Sequence, residues 1–155
     1  MSDGLVYFED LVVGATAAFG RYEVTRADVI EFASKYDPQS FHLSDEAAAK
    51  THFGRISASG WHTCAMVMRM LVSNMTERKQ AGLGSPGLDE LRWLKPVYPG
   101  DVLRLESEVL SKQRSRSRSE MGSFKSVVRV FNQDDVAVMT MQSIGLIQVR
   151  EPGPA

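Results

Sequence analysis

The spacing of apolar residues changes along the chain, with helix-like periods in the first half and strand-like alternation in the second. Residues 15–24 predict a modest strand. Thr25 then stands where a helix N-cap would, with Asp28 three residues on, a weak form of the capping box. We expect that helix to stop before Pro38. A second, short helix is predicted to open at Ser44, because a capping hydroxyl is followed there by two acidic residues.

Residues 58–73 form a more apolar segment than the rest. From Gly60 to Val72, nine of thirteen residues are apolar. A helix on the surface of a protein carries more polar residues on its outer side. We therefore predict a helix that is enclosed on most sides and ~20 Å long.

The second half of the chain alternates between apolar and polar residues. Residues 101–110, 124–132 and 136–149 each predict a strand, and the sequence NQDD between the last two predicts a hairpin loop. Residues 87–101 supply another strand and a sharp turn. A long antiparallel sheet curled round one apolar helix satisfies both the enclosed helix and the one-sided strands, so the predicted fold class is α+β.

Length and charge narrow the class of protein. With 155 residues, the chain is expected to form a single domain over residues 1–150, followed by a disordered tail at 151–155. The net charge is −1, from 18 basic and 19 acidic groups, which does not favour a nucleic-acid or membrane-surface partner. There is no bilayer-length apolar stretch and no secretory signal, so we expect a cytoplasmic protein.

Cysteine and histidine usage argues against a metal centre. Cys64 is the one cysteine, which excludes an intramolecular disulfide, and we expect it to be a buried, inert thiol. The three histidines show no clustered or helical ligand spacing. No metal is expected.

Several motifs occur in an order that resembles one known family. The stretch DPQSFH, from Asp37 to His42, is followed by LSDEAAA, by FGRISASGWHT and by LGSPGLDELRWLKPVYPGDVL. Together they resemble the MaoC-like acyl dehydratases, which are related to the (R)-specific enoyl-CoA hydratases, over most of residues 7–149. Gln39 and Ser40 stand where the family motif prefers Asn and Pro. Met68 stands where the hydratases place a serine, eight residues beyond the helix glycine.

The resemblance implies a hotdog fold, in which a curled antiparallel sheet wraps around one long buried helix. It also implies a homodimer with coenzyme A clefts where two sheets meet, and an acyl-CoA substrate of fatty acid metabolism. Coenzyme A would enter as part of the substrate, and no separate cofactor is expected.

Water addition to an enoyl thioester requires a base, an acid, and a group that stabilises the enolate-like oxygen. With the resemblance, Asp37 and His42 are assigned to the water, and Asp37 is the main base. The N–H of Gly60, at the start of the apolar helix, is assigned to the thioester oxygen, because the first N–H groups of a helix have no partner within it. Its neighbours Ser59, Trp61 and His62 are expected to contact substrate. Two alternatives stay open here: the glycine could serve only tight packing between helix and sheet, and His62 could be hydrogen-bonded within the helix start.

Three arginines alternate with serines near residue 115. If this segment is a strand, Arg114, Arg116 and Arg118 lie on one face and could contact the phosphates of coenzyme A. A solvated strand edge, protected from aggregation by its charge, explains the same pattern. RNA binding is disfavoured because no aromatic residue interleaves with the arginines.

Other interpretations remain open at this point. Asp37 and His42 could belong to an ordinary turn, since the residues between them are common in loops. The runner-up activity is a hotdog acyl-CoA thioesterase, in which the same acid activates water against the carbonyl. A non-catalytic acyl-binding or scaffold protein is the third hypothesis.

Overall fold

The computed structural model describes residues 3–153. Its strands are β1 (Thr16–Glu23), β2 (Gly87–Trp93), β3 (Val102–Arg114), β4 (Met121–Phe131) and β5 (Ala137–Gln148). Its α-helices are α1 (Arg26–Tyr36), α2 (Asp45–Ala48) and α3 (Gly60–Glu77), and 3-10 turns lie at Phe8–Asp10 and Ser40–His42. The predicted helices and strands are all present, and the apolar helix runs four residues further than residue 73.

The five strands form one antiparallel sheet in the order β1-β3-β4-β5-β2. Strand β2 follows α3 in the chain and joins the far side of the sheet beside β5. Among the described residues, two edges of the sheet are therefore left unpaired, along β1 and along β2. This is the α+β arrangement that the hydrophobic pattern predicts.

One face of the sheet packs against α3. Alternate residues of the strands enter this core, as the two-residue period of a strand requires. The fully buried members include Leu103, Leu105, Val128, Val130, Met139, Met66 and Val67. The other side of α3 stays open in the single chain, where Trp61, Met68 and Val72 are exposed.

The helix starts follow from local chemistry. The Thr25 hydroxyl accepts the Asp28 N–H at 3.2 Å, and the Ser44 hydroxyl accepts the Ala47 N–H at 3.1 Å. Both predicted N-caps are confirmed. Each satisfies one N–H that the first turn of a helix leaves unpaired.

The arginine segment is not a continuous strand. β3 ends at Arg114, and Arg116 and Arg118 lie in the turn that leads to β4. The prediction that the three arginines share one strand face is therefore wrong. A serine side chain accounts for the end of the strand. The Ser115 hydroxyl accepts the Arg118 N–H at 3.1 Å, and this hydrogen bond stabilises a turn in place of further strand pairing.

Residues 9–10 and 150–151 lie against each other at one corner of the sheet. The Glu151 N–H donates to Glu9 at 3.4 Å, and Arg150 pairs with Asp10. Residues 154 and 155 of the tail predicted as disordered lie outside the described residues. Within residues 3–153, no helix is long and apolar enough to cross a membrane.

Core packing on β3 leads to a stability prediction. Leu105 is fully buried, so Leu105→Ala should lower the free energy of unfolding by about 2–5 kcal/mol through lost contacts and a cavity. Leu110 on the same strand is 37% exposed, and Leu110→Ala should change it by less than about 1 kcal/mol. Urea denaturation at one protein concentration measures both, and equal losses would contradict this packing.

Candidate active site

Asp37 lies at the point where α1 ends. Its N–H closes the last turn of the helix on the Ala33 carbonyl at 2.9 Å, and Pro38 prevents continuation. Its carboxylate receives two hydrogen bonds, from the Ser59 hydroxyl at 2.7 Å and from the Gln39 side-chain amide at 2.7 Å. The side chain is 17% exposed, so the carboxylate keeps some access to solvent.

His42 faces the same carboxylate from the 3-10 turn that follows. Its Nδ1 lies 2.7 Å from the Ser57 carbonyl oxygen, and its Nε2 lies 3.5 Å from Asp37 Oδ2. Because a carbonyl can only accept, Nδ1 carries the proton, and in a neutral ring Nε2 is left as an acceptor. The Phe41 ring packs edge-on against the imidazole and Phe53 lies on the cluster as well, which makes the surroundings of the ring apolar.

The surroundings of Asp37 favour its charged form. Burial alone would raise the pKa of this carboxyl, but the hydrogen bonds from Ser59 and Gln39 and the proximity of His42 outweigh it, so the pKa lies below its usual value. Asp37 is therefore ionised at neutral pH. In that state it can accept a proton from water.

Ser59 is the residue that connects the carboxylate to α3. It occupies the N-cap position and is fully buried, yet its hydroxyl donates to Asp37 and caps no N–H of its own helix. Within residues 3–153, the N–H groups of Gly60, Trp61 and His62 donate to no protein acceptor. The start of α3 can therefore receive a negatively charged oxygen from a ligand.

This role of Ser59 differs from the sequence-based expectation, which gave it only a substrate contact and looked for the family's serine at position 68. Met68 is on the exposed side of α3. A serine directly before a helix-starting glycine is ordinarily interpreted as an N-cap. The contact with Asp37 has no signal in the local sequence.

The neighbours predicted to contact substrate lie in different surroundings. Trp61 is exposed, and its ring meets that of Trp93 edge-on at 5.4 Å. His62 is buried and stacks on Phe32 of α1 at 4.7 Å between ring centroids. Burial lowers the pKa of His62, with a smaller opposing effect of Asp28. Whether either residue contacts substrate remains a prediction.

The three arginines are not part of the Asp37 cluster within one chain. The start of α3 lies beside Trp93, which pairs with Met139 of β5, and Met139 in turn pairs with Val130 of β4. Arg114 pairs with Gly122, near the other end of β4. From Val130 to Gly122 the strand extends ~26 Å. Arg114 also forms an ion pair with Glu9 at 3.0 Å, and it lines a surface cleft with Arg116.

Within residues 3–153, neither a metal-binding group nor a reactive thiol accompanies the cluster. No group of three His, Cys, Asp or Glu side chains in the described part of the chain is close enough to hold a metal ion. Cys64 is half-buried, and burial raises the pKa of its thiol despite an opposing hydrogen bond from Trp93. It is therefore protonated at neutral pH.

Comparison with known proteins identifies the family. The MaoC like domain matches residues 12–130. A 3-hydroxybutyryl-CoA dehydratase of Methylorubrum extorquens is 31% identical over 125 residues, which cover 79% of this chain and 76% of that protein. The chain belongs to the MaoC-like dehydratase family.

Two further relatives support the same assignment. The uncharacterized protein YdeM of Bacillus subtilis is 30% identical over 130 residues, or 84% of this chain and 90% of that protein. The crystal structure of a MaoC-like dehydratase from Rhodospirillum rubrum is similar with a TM-score of 0.85 and 35% identity, covering 94% of this chain and 99% of that one. The hotdog fold predicted from the sequence is confirmed.

The hydrogen bond from Ser59 can be tested by its effect on Asp37. Ser59→Ala removes a donor to the carboxylate, so the pKa of Asp37 should rise. Because that pKa is depressed in the folded protein, Asp37 stabilises the fold above its ordinary pKa, and this contribution is lost as the pH falls through the folded value. The Ser59→Ala variant should lose part of this contribution to stability.

Carboxyl NMR titration measures this shift. Ser73→Ala is the control, because the Ser73 hydroxyl bonds to the Arg69 carbonyl of its own helix and to no other group in the described part of the chain. An Asp37 pKa that stays the same or falls in Ser59→Ala would show that the hydroxyl does not stabilise the charge.

Proposed function

We propose that this protein catalyses the reversible addition of water to the α,β-double bond of a 2-enoyl-CoA thioester. The observation that carries the proposal is the approach of His42 Nε2 to Asp37 Oδ2 at 3.5 Å, beside a helix start whose first N–H groups have no protein acceptor within residues 3–153. The similarity to a 3-hydroxybutyryl-CoA dehydratase supports the same chemistry.

One water can be held by both acceptors. A separation of 3.5 Å is long for a direct hydrogen bond, and a bridging water can donate one O–H to the carboxylate and the other to the imidazole. The oxygen lone pairs of that water then remain free to attack the β-carbon. Because each proton of the water has an acceptor, the water is held in one orientation, and one of its protons can be removed as the carbon–oxygen bond forms.

The proton balance of the reaction fits a single principal base. As the water oxygen bonds to the β-carbon, Asp37 takes the proton, and the electrons of the double bond move toward the thioester to give an enolate. Asp37 then returns a proton to the α-carbon, which completes the 3-hydroxyacyl product. Dehydration is the reverse sequence through the same groups.

The enolate oxygen requires donors, and the first turn of α3 supplies them. The Gly60 N–H is assigned to this oxygen, because an unpaired N–H at a helix start combines a hydrogen bond with the positive end of the helix dipole. Backbone donors are rigid, so they need no rearrangement when charge develops.

The departures from the family motif are compatible with activity. Gln39 donates its side-chain amide to Asp37, as a donor at the place of the usual Asn. The His42 N–H bonds to the Gln39 carbonyl at 2.9 Å, so the turn through Ser40 still holds the histidine against the acid. These contacts favour an enzyme over a non-catalytic acyl-binding protein.

One assay separates the three functional hypotheses. The purified protein is mixed with crotonyl-CoA and, separately, with a longer 2-enoyl-CoA, while enoyl absorbance and free thiol are followed together. The proposal predicts loss of absorbance without release of thiol. Release of thiol would indicate a thioesterase, and no change in either signal would indicate a binding protein.

The assignment of Asp37 predicts a large effect of a small substitution. Asp37→Asn keeps the size of the side chain but removes the base, so hydration should fall by roughly 10²- to 10⁴-fold. Glu31→Gln on the same helix removes an exposed charge and should leave the rate nearly unchanged. Circular dichroism checks that both variants are folded. Activity of Asp37→Asn within about threefold of wild type, far less than a general base contributes, would rule out this role.

We also propose that the protein is a homodimer. On α3 the exposed Trp61 meets Trp93 of the edge strand β2, and Leu88 and Leu94 on or beside that strand are exposed as well. A second copy of the chain would cover these exposed side chains and pair with the edge of β2. We predict sedimentation at about 34 kDa at micromolar concentration, with roughly 1,200 Å² or more of buried surface. A monodisperse monomer would contradict a cleft shared between two chains.

The three arginines at the end of β3 and in the turn to β4 give a separate prediction about coenzyme A. Changing Arg114, Arg116 and Arg118 together to Gln should raise KM for the CoA thioester and leave kcat unchanged, the pattern of lost uniform binding. The melting temperature should hardly change, because exposed ion pairs such as Arg114 with Glu9 stabilise little. Arg129→Gln, an exposed arginine of β4, is the control. An unchanged KM would contradict a contact with coenzyme A and favour the explanation that these arginines are solvated surface charges.

A further inference from the structure

The first turn of α3 lies under the side chain of Trp93, the last residue of β2. The indole Nε1 donates to the Gly60 carbonyl oxygen at 3.0 Å. The backbone of Trp93 is paired with Met139 of β5, so the indole extends from a strand that is itself held in the sheet. The ring of Trp61 meets the same indole edge-on. A side chain of the sheet therefore fastens the helix start that the proposed reaction uses.

The indole also occupies the space of a side chain at Gly60. A Cβ built on Gly60 would lie 2.5 Å from Cε2 of Trp93 and 2.9 Å from both Cδ2 and Cζ2. Such distances are shorter than real Cβ contacts, and the atoms involved belong to a rigid bicyclic ring. Gly60 does not have a positive φ, so the backbone conformation does not require glycine there. Glycine is required at position 60 because the indole of Trp93 leaves no room for a Cβ.

We propose that Trp93 is a positioning residue, which fixes the first turn of α3 so that the Gly60 N–H is directed at the thioester oxygen. The glycine at position 60 then serves the close contact with the indole and not the approach of the substrate. The catalytic part of this inference rests on the proposed function. The packing part stands by itself.

A double-mutant cycle tests the packing part without any substrate. In the wild-type background, Gly60→Ala should lower the melting temperature by roughly 3–10 °C, because the added methyl group overlaps the indole. In a Trp93→Ala background, the same change should leave it unchanged or raise it, since alanine is the better helix former. Trp93→Leu replaces Trp93→Ala if the latter does not fold.

Gly82→Ala is the matched control. A Cβ at Gly82 would meet only the end of Gln80, at 3.9 Å, so its effect should be the same in both backgrounds. A Gly60→Ala effect that is equal with and without the indole would overturn the inference. All variants are compared at one protein concentration, because dimerisation makes the melting temperature depend on it.

Trp93→Phe tests the positioning part. It keeps an aromatic ring but removes the N–H donor, so kcat for enoyl-CoA hydration should fall about tenfold, the worth of one hydrogen bond, while KM stays unchanged. A merely structural role would not separate kcat from KM. Unchanged kcat, or a change in KM alone, would contradict positioning. If the wild type does not hydrate enoyl-CoA, the proposed function fails, and the melting-temperature cycle still decides whether Trp93 sets the helix start.

Discussion

The hydrogen bond between the Ser59 hydroxyl and Asp37 Oδ2 is the contact on which the candidate active site depends. It joins the end of α1 to the start of α3, 22 residues apart in sequence. A serine at this position usually accepts an N–H of its own helix. Here it donates to a carboxylate instead, which has two consequences. The carboxylate stays ionised although it is partly buried, and the first N–H groups of α3 stay available to a ligand.

Those two consequences match the two halves of a hydration reaction. Asp37 and His42 present acceptors, which suit the protons of a water molecule, and the start of α3 presents donors, which suit a developing negative charge. The Ser57 carbonyl orients the imidazole by accepting from Nδ1. The chemistry we propose therefore requires few side chains beyond this cluster. The donors at the start of α3 are held in place by the sheet, through the hydrogen bond from Trp93 to Gly60.

The fold could be predicted from the sequence because its signals are local. Leu103 and Leu105 alternate with polar residues because one face of the sheet is buried, and the caps at Thr25 and Ser44 act within their own helices. Other features have no local signal. The partner of Ser59 is distant in sequence, the Arg-Ser alternation resembles a strand although a turn interrupts it, and apolar residues on α3 look the same whether a sheet or a second chain covers them.

The central claim is that Asp37 and His42 act as a unit on one water molecule. Rates of enoyl-CoA hydration for Asp37→Asn, His42→Asn and the double variant, all shown to be folded, test it most directly. Groups that act as a unit are strongly non-additive, so the double variant should be little slower than either single variant. If the two losses multiply instead, the residues act independently and the shared-water account is wrong.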